Sequence, residues 1–129
     1  KEHLMPDNKI NNAINIKEKF ELFKDQWTPK VIAMLDDNHV YLTKIEGDFV
    51  WHSHEDQDEL FIVVEGRFRM DFRDREVWVE KGEMLVVPKG VEHRPCAEQE
   101  CKLLVIENAG TDHTGGVEDE RRQEGHAQI

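Results

Sequence analysis

His52 and His54 stand two residues apart, and Glu59 follows after the polar stretch Glu55-Asp56-Gln57-Asp58. In a strand, side chains two apart share a face, with Cα atoms about 6.6 Å apart. Imidazoles at that spacing can tilt toward one point and hold a single ion. Glu59 opens the next apolar run, so pairing of the two segments brings its carboxylate to the same ion. Farther along, Pro88-Lys89-Gly90 makes a tight turn, and His93 lies just inside the strand that follows. Imidazoles and a carboxylate without a thiolate suit a divalent first-row ion: iron, manganese, nickel, cobalt, copper or zinc. An octahedral ion so held keeps two positions for water or substrate. Each histidine alone is more often a surface or structural residue. Jointly, His52, His54, Glu59 and His93 read as a site for one divalent ion per subunit.

Those residues need strands to position them. From Val31 to Asn108 the chain shows short apolar runs separated by turn residues. The predicted strands are Val31–Leu35, His39–Glu46, Phe49–His54, Glu59–Glu65, Arg67–Phe72, Glu76–Val79, Met84–Val87, Glu92–Cys96 and Lys102–Glu107. Asp36-Asp37-Asn38, Glu65-Gly66, Lys81-Gly82 and Pro88-Lys89-Gly90 mark turns between them. Short strands at regular spacing with no helical period predict an antiparallel sandwich or barrel. Leu60–Val64 and Leu103–Ile106 are apolar on both faces, so each face needs a neighbour. One face is the barrel interior. The other is to be covered by an N-terminal helix or a second subunit, and a homodimer is expected.

Residues 1–14 are polar and expected to be flexible. Asn15, with Glu18 three places on, is an N-cap with a capping-box partner. Ile16, Phe20, Phe23 and Trp27 then form one apolar stripe that Pro29 ends. This predicts a cover helix, and its stripe is for packing rather than for a cofactor. The domain spans 15–108. Residues 109–129 read as a flexible acidic tail, with Gly115-Gly116 and the charged run Glu118–Arg122. His113 and His126 are expected to be solvated there.

The chain of 129 residues is one domain in size. Its 28 acidic residues against 17 basic ones give a net charge of -11, which disfavours nucleic acid and anionic membrane surfaces. No apolar run approaches the roughly 20 residues needed to span a bilayer, and the first residues lack a signal-peptide core. Cys96 and Cys101 are too few for a disulfide framework, although they could face each other across a hairpin. They read as reduced thiols of a cytoplasmic protein.

The stretch Gly47-x4-His52-x-His54-x4-Glu59-x6-Gly66, followed by Gly82-x5-Pro88-x-Gly90-x2-His93, resembles the two motifs of the cupin superfamily, specifically its small single-domain bacterial members. The motifs cover residues 47–93, and flanking strands extend the likeness over about Val31 to Asn108. The resemblance implies an all-β, double-stranded β-helix (a jelly-roll barrel) with metal ligands at His52, His54, Glu59 and His93. Two departures stand out. The Gly47 to His52 spacing is one residue shorter than the usual pattern, and Ala97 stands where the second motif often has Asn. Cupins include dioxygenases, isomerases, decarboxylases, lyases, storage proteins and sensors, so the fold alone does not choose a reaction.

Alternation indicates what shares the chamber. With Glu59 inward, Phe61 and Val63 also point inward, as do Phe68 and Met70 on the next strand. These residues read first as core and second as a substrate pocket, joined by Tyr41 if its strand phase places it inside. Only Lys44, in the opposite phase, would bring a cation near the ligands, which disfavours phosphosugar isomerisation. Neither a nucleophile with a free base nor a phosphate-cradling glycine loop is present. What remains is oxygenase- or isomerase-type chemistry on a small, weakly charged organic molecule. Tyr41 is then a candidate acid, and Glu59 a fixed ligand or a base. The alternative is a non-catalytic, metal-dependent binding or sensing module.

Overall fold

A computed structural model describes residues 12–111, 114–117, 119, 121 and 125–129. Most of the N-terminal segment expected to be flexible, residues 1–11, lies outside the described residues, as does His113. The elements in chain order are α1 (Ile16–Phe20), β1 (Lys30–Leu35), β2 (Asn38–Asp48), β3 (Glu59–Glu65), β4 (Arg67–Phe72), β5 (Arg75–Glu80), β6 (Met84–Val87), β7 (His93–Asn108) and β8 (Ala127–Gln128).

The strands join in the order β5-β4-β7-β2-β1-β8, while β3 pairs both β7 and β6. β7 is the seam. Its first part pairs β4, with Phe72 opposite His93, and its later part pairs β3, with Leu60 opposite Ile106. Along its other edge it pairs β2. One long strand shared in this way rolls the sheet into the all-β, double-stranded β-helix barrel.

Phe61, Val63, Phe68, Met70, Leu103 and Val105 fill the barrel interior. The outer face carries a second cluster of Phe20, Phe23, Ile32 and Leu42, joined by Ile16, Val40, Val64, Leu104 and Ile129. The two-faced strands are thus explained in part: inside is core, and part of the outside lies under the N-terminal segment. Next to that cover, Met84 and Val86 remain 59% and 47% exposed beside Ile62 and Leu60.

Several expectations change. Phe49–His54 is not a strand, and only His52 makes a bridge, to His93. Gly115 lies against this stretch, so close that a Cβ there would collide with the Ser53 carbonyl oxygen. Glu92–Cys96 and Lys102–Glu107 belong to one strand, because the polar residues between them form a bulge. Ala97 pairs Gly47 and Cys101 pairs Ile45, so β7 takes four steps where β2 takes two. Cys96 and Cys101 therefore lie along one strand, not across a hairpin, and both are buried free thiols.

The Asn15 cap forms, its side chain accepting from the Glu18 N–H at 2.9 Å. The helix nevertheless ends at Phe20 rather than near Trp27. A helix this short has little stability of its own, so packing of Phe20 and Phe23 on Leu42 sets the path. Trp27 leaves the stripe with φ 58°. Lys44 lies on the outer side, where its Nζ donates to the Phe23 carbonyl at 2.5 Å.

The described part of the C-terminal segment packs on the barrel. β8 pairs β1 in parallel, with Lys30 opposite Ala127 and Val31 opposite Gln128. The Ile129 N–H donates to the Val31 carbonyl at 3.0 Å, and the Ile129 side chain joins the outer cluster. Thr114 is fully buried. His126 packs against the Tyr41 ring, with centroids 5.6 Å apart, and is not a fully solvated side chain. Among the described residues no helix is long and apolar enough to cross a membrane.

Candidate metal centre

The two histidine-bearing stretches are tied together before any side chain is considered. His52 N–H donates to the His93 carbonyl at 3.0 Å, and His93 N–H returns a bond to His52 at 2.8 Å. Gly90 N–H donates to the His54 carbonyl at 2.8 Å, and Lys89 N–H to Asp58 Oδ1 at 2.9 Å. Gly90 takes φ 78°, a conformation that costs a residue without a Cβ little. The Pro88–Gly90 turn thus clamps the loop between His54 and Glu59.

Backbone carbonyls then fix the rings. His52 Nδ1 lies 2.9 Å from the Val50 carbonyl, and His93 Nδ1 lies 2.9 Å from the Val91 carbonyl. A carbonyl only accepts, so each Nδ1 carries the proton and each Nε2 keeps a free lone pair. Ligand atoms of His52, His54 and His93 all fall within 4.8 Å of one another. Glu59 Oε1 lies 3.4 Å from His54 Nε2 and 3.5 Å from His93 Nε2. Two atoms each about 2.1 Å from one ion would stand about 3.0–3.4 Å apart. The observed separations match that closely.

His54 Nε2, His93 Nε2 and Glu59 Oε1 are buried without a hydrogen-bond partner. Each such atom costs about 1–3 kcal/mol when left unpaired. A divalent cation would satisfy all of them at once. The His3–Glu group therefore fits a metal ion on its own geometry. Burial, then the nearby His93, pushes the His52 imidazole down to about 4, which keeps it neutral and able to ligate near pH 7. Burial opposes ionisation of Glu59, but the adjoining His54 and His93 outweigh it and hold the carboxyl well below its usual value.

A cleft of about 40 Å³ opens beside these ligands, lined by Trp27, Tyr41, Phe49, His52, Glu59, Phe61 and neighbouring residues. Trp27 stacks on Phe49 with centroids 4.6 Å apart. Of the residues named as a pocket, Tyr41 and Phe61 line the wall. Val63, Phe68 and Met70 lie in the closed core instead. Each two-residue step along a strand carries a side chain about 6.6 Å from the ligands, into fully packed interior. Among the described residues no lysine or arginine lines the cleft, although the Arg121 guanidinium lies over the Phe49 ring at 4.6 Å. Tyr41 is buried with its Oη 3.5 Å from Glu59 Oε2. Burial, then the charges of Glu107 and Glu59, raises its phenol well above the usual value.

Two residues of this site escape a reading by spacing. Glu107 is 3% exposed and offers a carboxylate oxygen within 4.8 Å of ligand atoms of His54 and Glu59. Alternation was its available signal, since it continues the inward series Leu103 and Val105. Trp27 carried no comparable signal, because its place follows from the early end of the helix.

A barrel of this kind with a convergent His3–Glu group defines a metal-binding β-barrel. The chain belongs to the cupin family, whose cupin domain matches residues 39–107. The Bacillus subtilis protein YdbB is 41% identical over 83 residues, which cover 64% of this chain and 67% of that protein. An acireductone dioxygenase of Puccinia graminis f. sp. tritici is 41% identical over 89 residues, covering 64% of this chain. The chain spans 46% of that dioxygenase. The crystal structure of a cupin-2 domain containing protein from Shewanella frigidimarina superposes with TM-score 0.74 at 51% identity, covering 74% of this chain and 94% of that one.

Proposed function

We propose that this cupin is a metal-dependent dioxygenase of a small, weakly charged organic molecule, using one divalent transition ion per subunit. The observation that carries this reading is the set of buried, unpartnered atoms, His54 Nε2, His93 Nε2 and Glu59 Oε1, beside a cleft whose described lining is mostly apolar. Likeness to an acireductone dioxygenase over part of its length supports the reaction class. Held by His52, His54, His93 and Glu59, such an ion supplies Lewis-acid polarisation and, if redox-active, electron transfer to dioxygen. Both oxygen atoms end in the cleaved products, so no external reductant is required.

The chain's own residues have separate tasks. Trp27, Phe49, Phe61 and Val105 exclude water and favour an uncharged substrate over a phosphorylated one. Tyr41 keeps its proton at neutral pH, and its hydroxyl faces Glu59 Oε2 at 3.5 Å. Oxygen uptake with small enediols, diketones and phenols, measured on protein loaded separately with iron, nickel, manganese or cobalt, tests the reading. Turnover with one class supports it. Saturable binding without turnover under every metal replaces it with the non-catalytic binding module.

We also infer a homodimer through the uncovered outer face of β6 and β3. Met84, Val86, Leu60 and Ile62 form an uncharged surface there, so two copies of a strongly acidic chain meet without opposing charges. Sedimentation of the protein and of Met84→Lys tests it, with a monomeric wild type as the refuting result.

A further inference from the structure

Three polar side chains share an otherwise apolar stretch of the barrel interior. β3 and β7 pair antiparallel with Leu60 opposite Ile106, so the next step sets Glu59 opposite Glu107. Tyr41 pairs Val105 on the other edge of β7, which places it diagonally from Glu107. All three are 3–5% exposed. Two acids directly opposite on paired strands repel when both ionise, the more so when buried, and Glu107 stands here as a hydrogen-bond partner of Glu59. The hydrophobic core offers no reason for this placement.

The two oxygens of Glu59 have different surroundings. Oε1 faces His54 and His93 at 3.4 and 3.5 Å. Oε2 faces the Tyr41 hydroxyl at 3.5 Å. The Tyr41 ring is in turn held against His126, and its hydroxyl also faces Glu107. We propose that Tyr41 and Glu107 form a buried phenol–carboxylate pair that positions Glu59, holding Oε2 aside so that Oε1 alone is presented to the metal. This rests on the metal-binding reading above. Neither residue is a ligand in it, and both act through Glu59. Hydrogen-bonded partners of a ligating carboxylate commonly set its orientation in this way.

The experiment compares wild type, Tyr41→Phe, Glu107→Gln and a core control, Val63→Ala. Each is loaded with Cu(II) for electron paramagnetic resonance, titrated with Zn(II) against a competing chelator, and melted in chelator. The expected result is an altered Cu(II) spectrum in Tyr41→Phe and Glu107→Gln, with Zn(II) affinity lowered about 10- to 100-fold. Val63→Ala lowers the melting temperature and leaves the Cu(II) spectrum unchanged. If Tyr41→Phe does not fold, an altered spectrum in folded Glu107→Gln still supports the pair. Wild-type spectra and affinity in both folded variants overturn it while leaving the metal site intact. Abolished binding in Glu107→Gln with none of the change in Tyr41→Phe also overturns it, by making Glu107 a ligand. A wild type that takes up neither ion overturns both this pair and the proposed function.

Discussion

Asp71 and Glu59 are carboxylates on β4 and β3, 4% and 5% exposed, yet their surroundings differ in kind. Asp71 is saturated with donors. Arg69 Nε reaches it at 2.5 Å, Arg94 Nη2 at 2.9 Å, and the Cys96 thiol at 3.4 Å. Glu59 Oε1 has no hydrogen-bond partner and faces imidazole nitrogens that also lack one. Burial alone therefore does not mark a functional acid. The distinguishing feature is a lone pair the protein places indoors and leaves unmatched, since folding by itself penalises that arrangement.

Removing ligands should separate the two regions most strongly. A His52→Ala, His54→Ala double variant is expected to lose its bound metal entirely, by elemental analysis of protein purified without added metal. It should also lose the stabilisation by metal, which in wild type reaches about 2.7 kcal/mol at a free-ion concentration near 100 Kd. Asp71→Asn at the other acid should cost about 1–3 kcal/mol in chemical denaturation, because Arg69 and Arg94 lose their partner. Its metal content should match wild type. Glu59→Gln should reverse the pattern, costing the metal-free protein less than Asp71→Asn does while weakening metal affinity by at least about tenfold. Equal effects of both substitutions on metal affinity would erase the distinction.

Acid should resolve the regions into two windows in the metal-free protein. The folded His52 titrates near 4, against an ordinary value of 6.5. The unfolded chain therefore takes up that proton first, and stability falls as pH drops from about 6.5 toward 4. Burial raises the Asp71 carboxyl, but bonds from Arg69 and Arg94 more than offset this and leave it below 3.8. Its contribution is complete above 3.8 and is lost only as pH falls through the lower folded value. Denaturation midpoints across pH should show a smaller first window in His52→Ala, where the lowered His39 still contributes, and a smaller second window in Asp71→Asn, where Glu59 still contributes. The smallest effect belongs to Glu92→Gln. Arg73 and Glu92 pair at 2.7 Å but are 60% and 46% exposed, so the midpoint should not move measurably.

Much of the scaffold was readable as short-range pattern. Glu59–Glu65, Arg67–Phe72 and Met84–Val87 are strands with the bounds that alternation and turn residues indicate. The same pattern correctly points Phe61, Val63, Phe68 and Met70 inward. It fails where distant segments decide. Trp27 continues a helical stripe on paper, but packing of Phe20 and Phe23 ends the helix early. Glu98–Glu100 look like a turn, yet they form a bulge because β2 pairs β7 on both sides of them. Ala127–Gln128 are too few to read as a strand without β1 beside them.

What sequence alone determined is local: residue types, their spacing, the parity of strands and the Pro88–Gly90 turn. Those depend on backbone geometry within a few residues, which a linear chain already carries. The tertiary structure decided which histidine nitrogens are free, that Glu107 and Tyr41 stand beside Glu59, and that His126 and Gly115 pack against Tyr41 and Ser53. These are long-range pairings, settled by which backbone and side-chain groups find partners when remote strands close around a common interior.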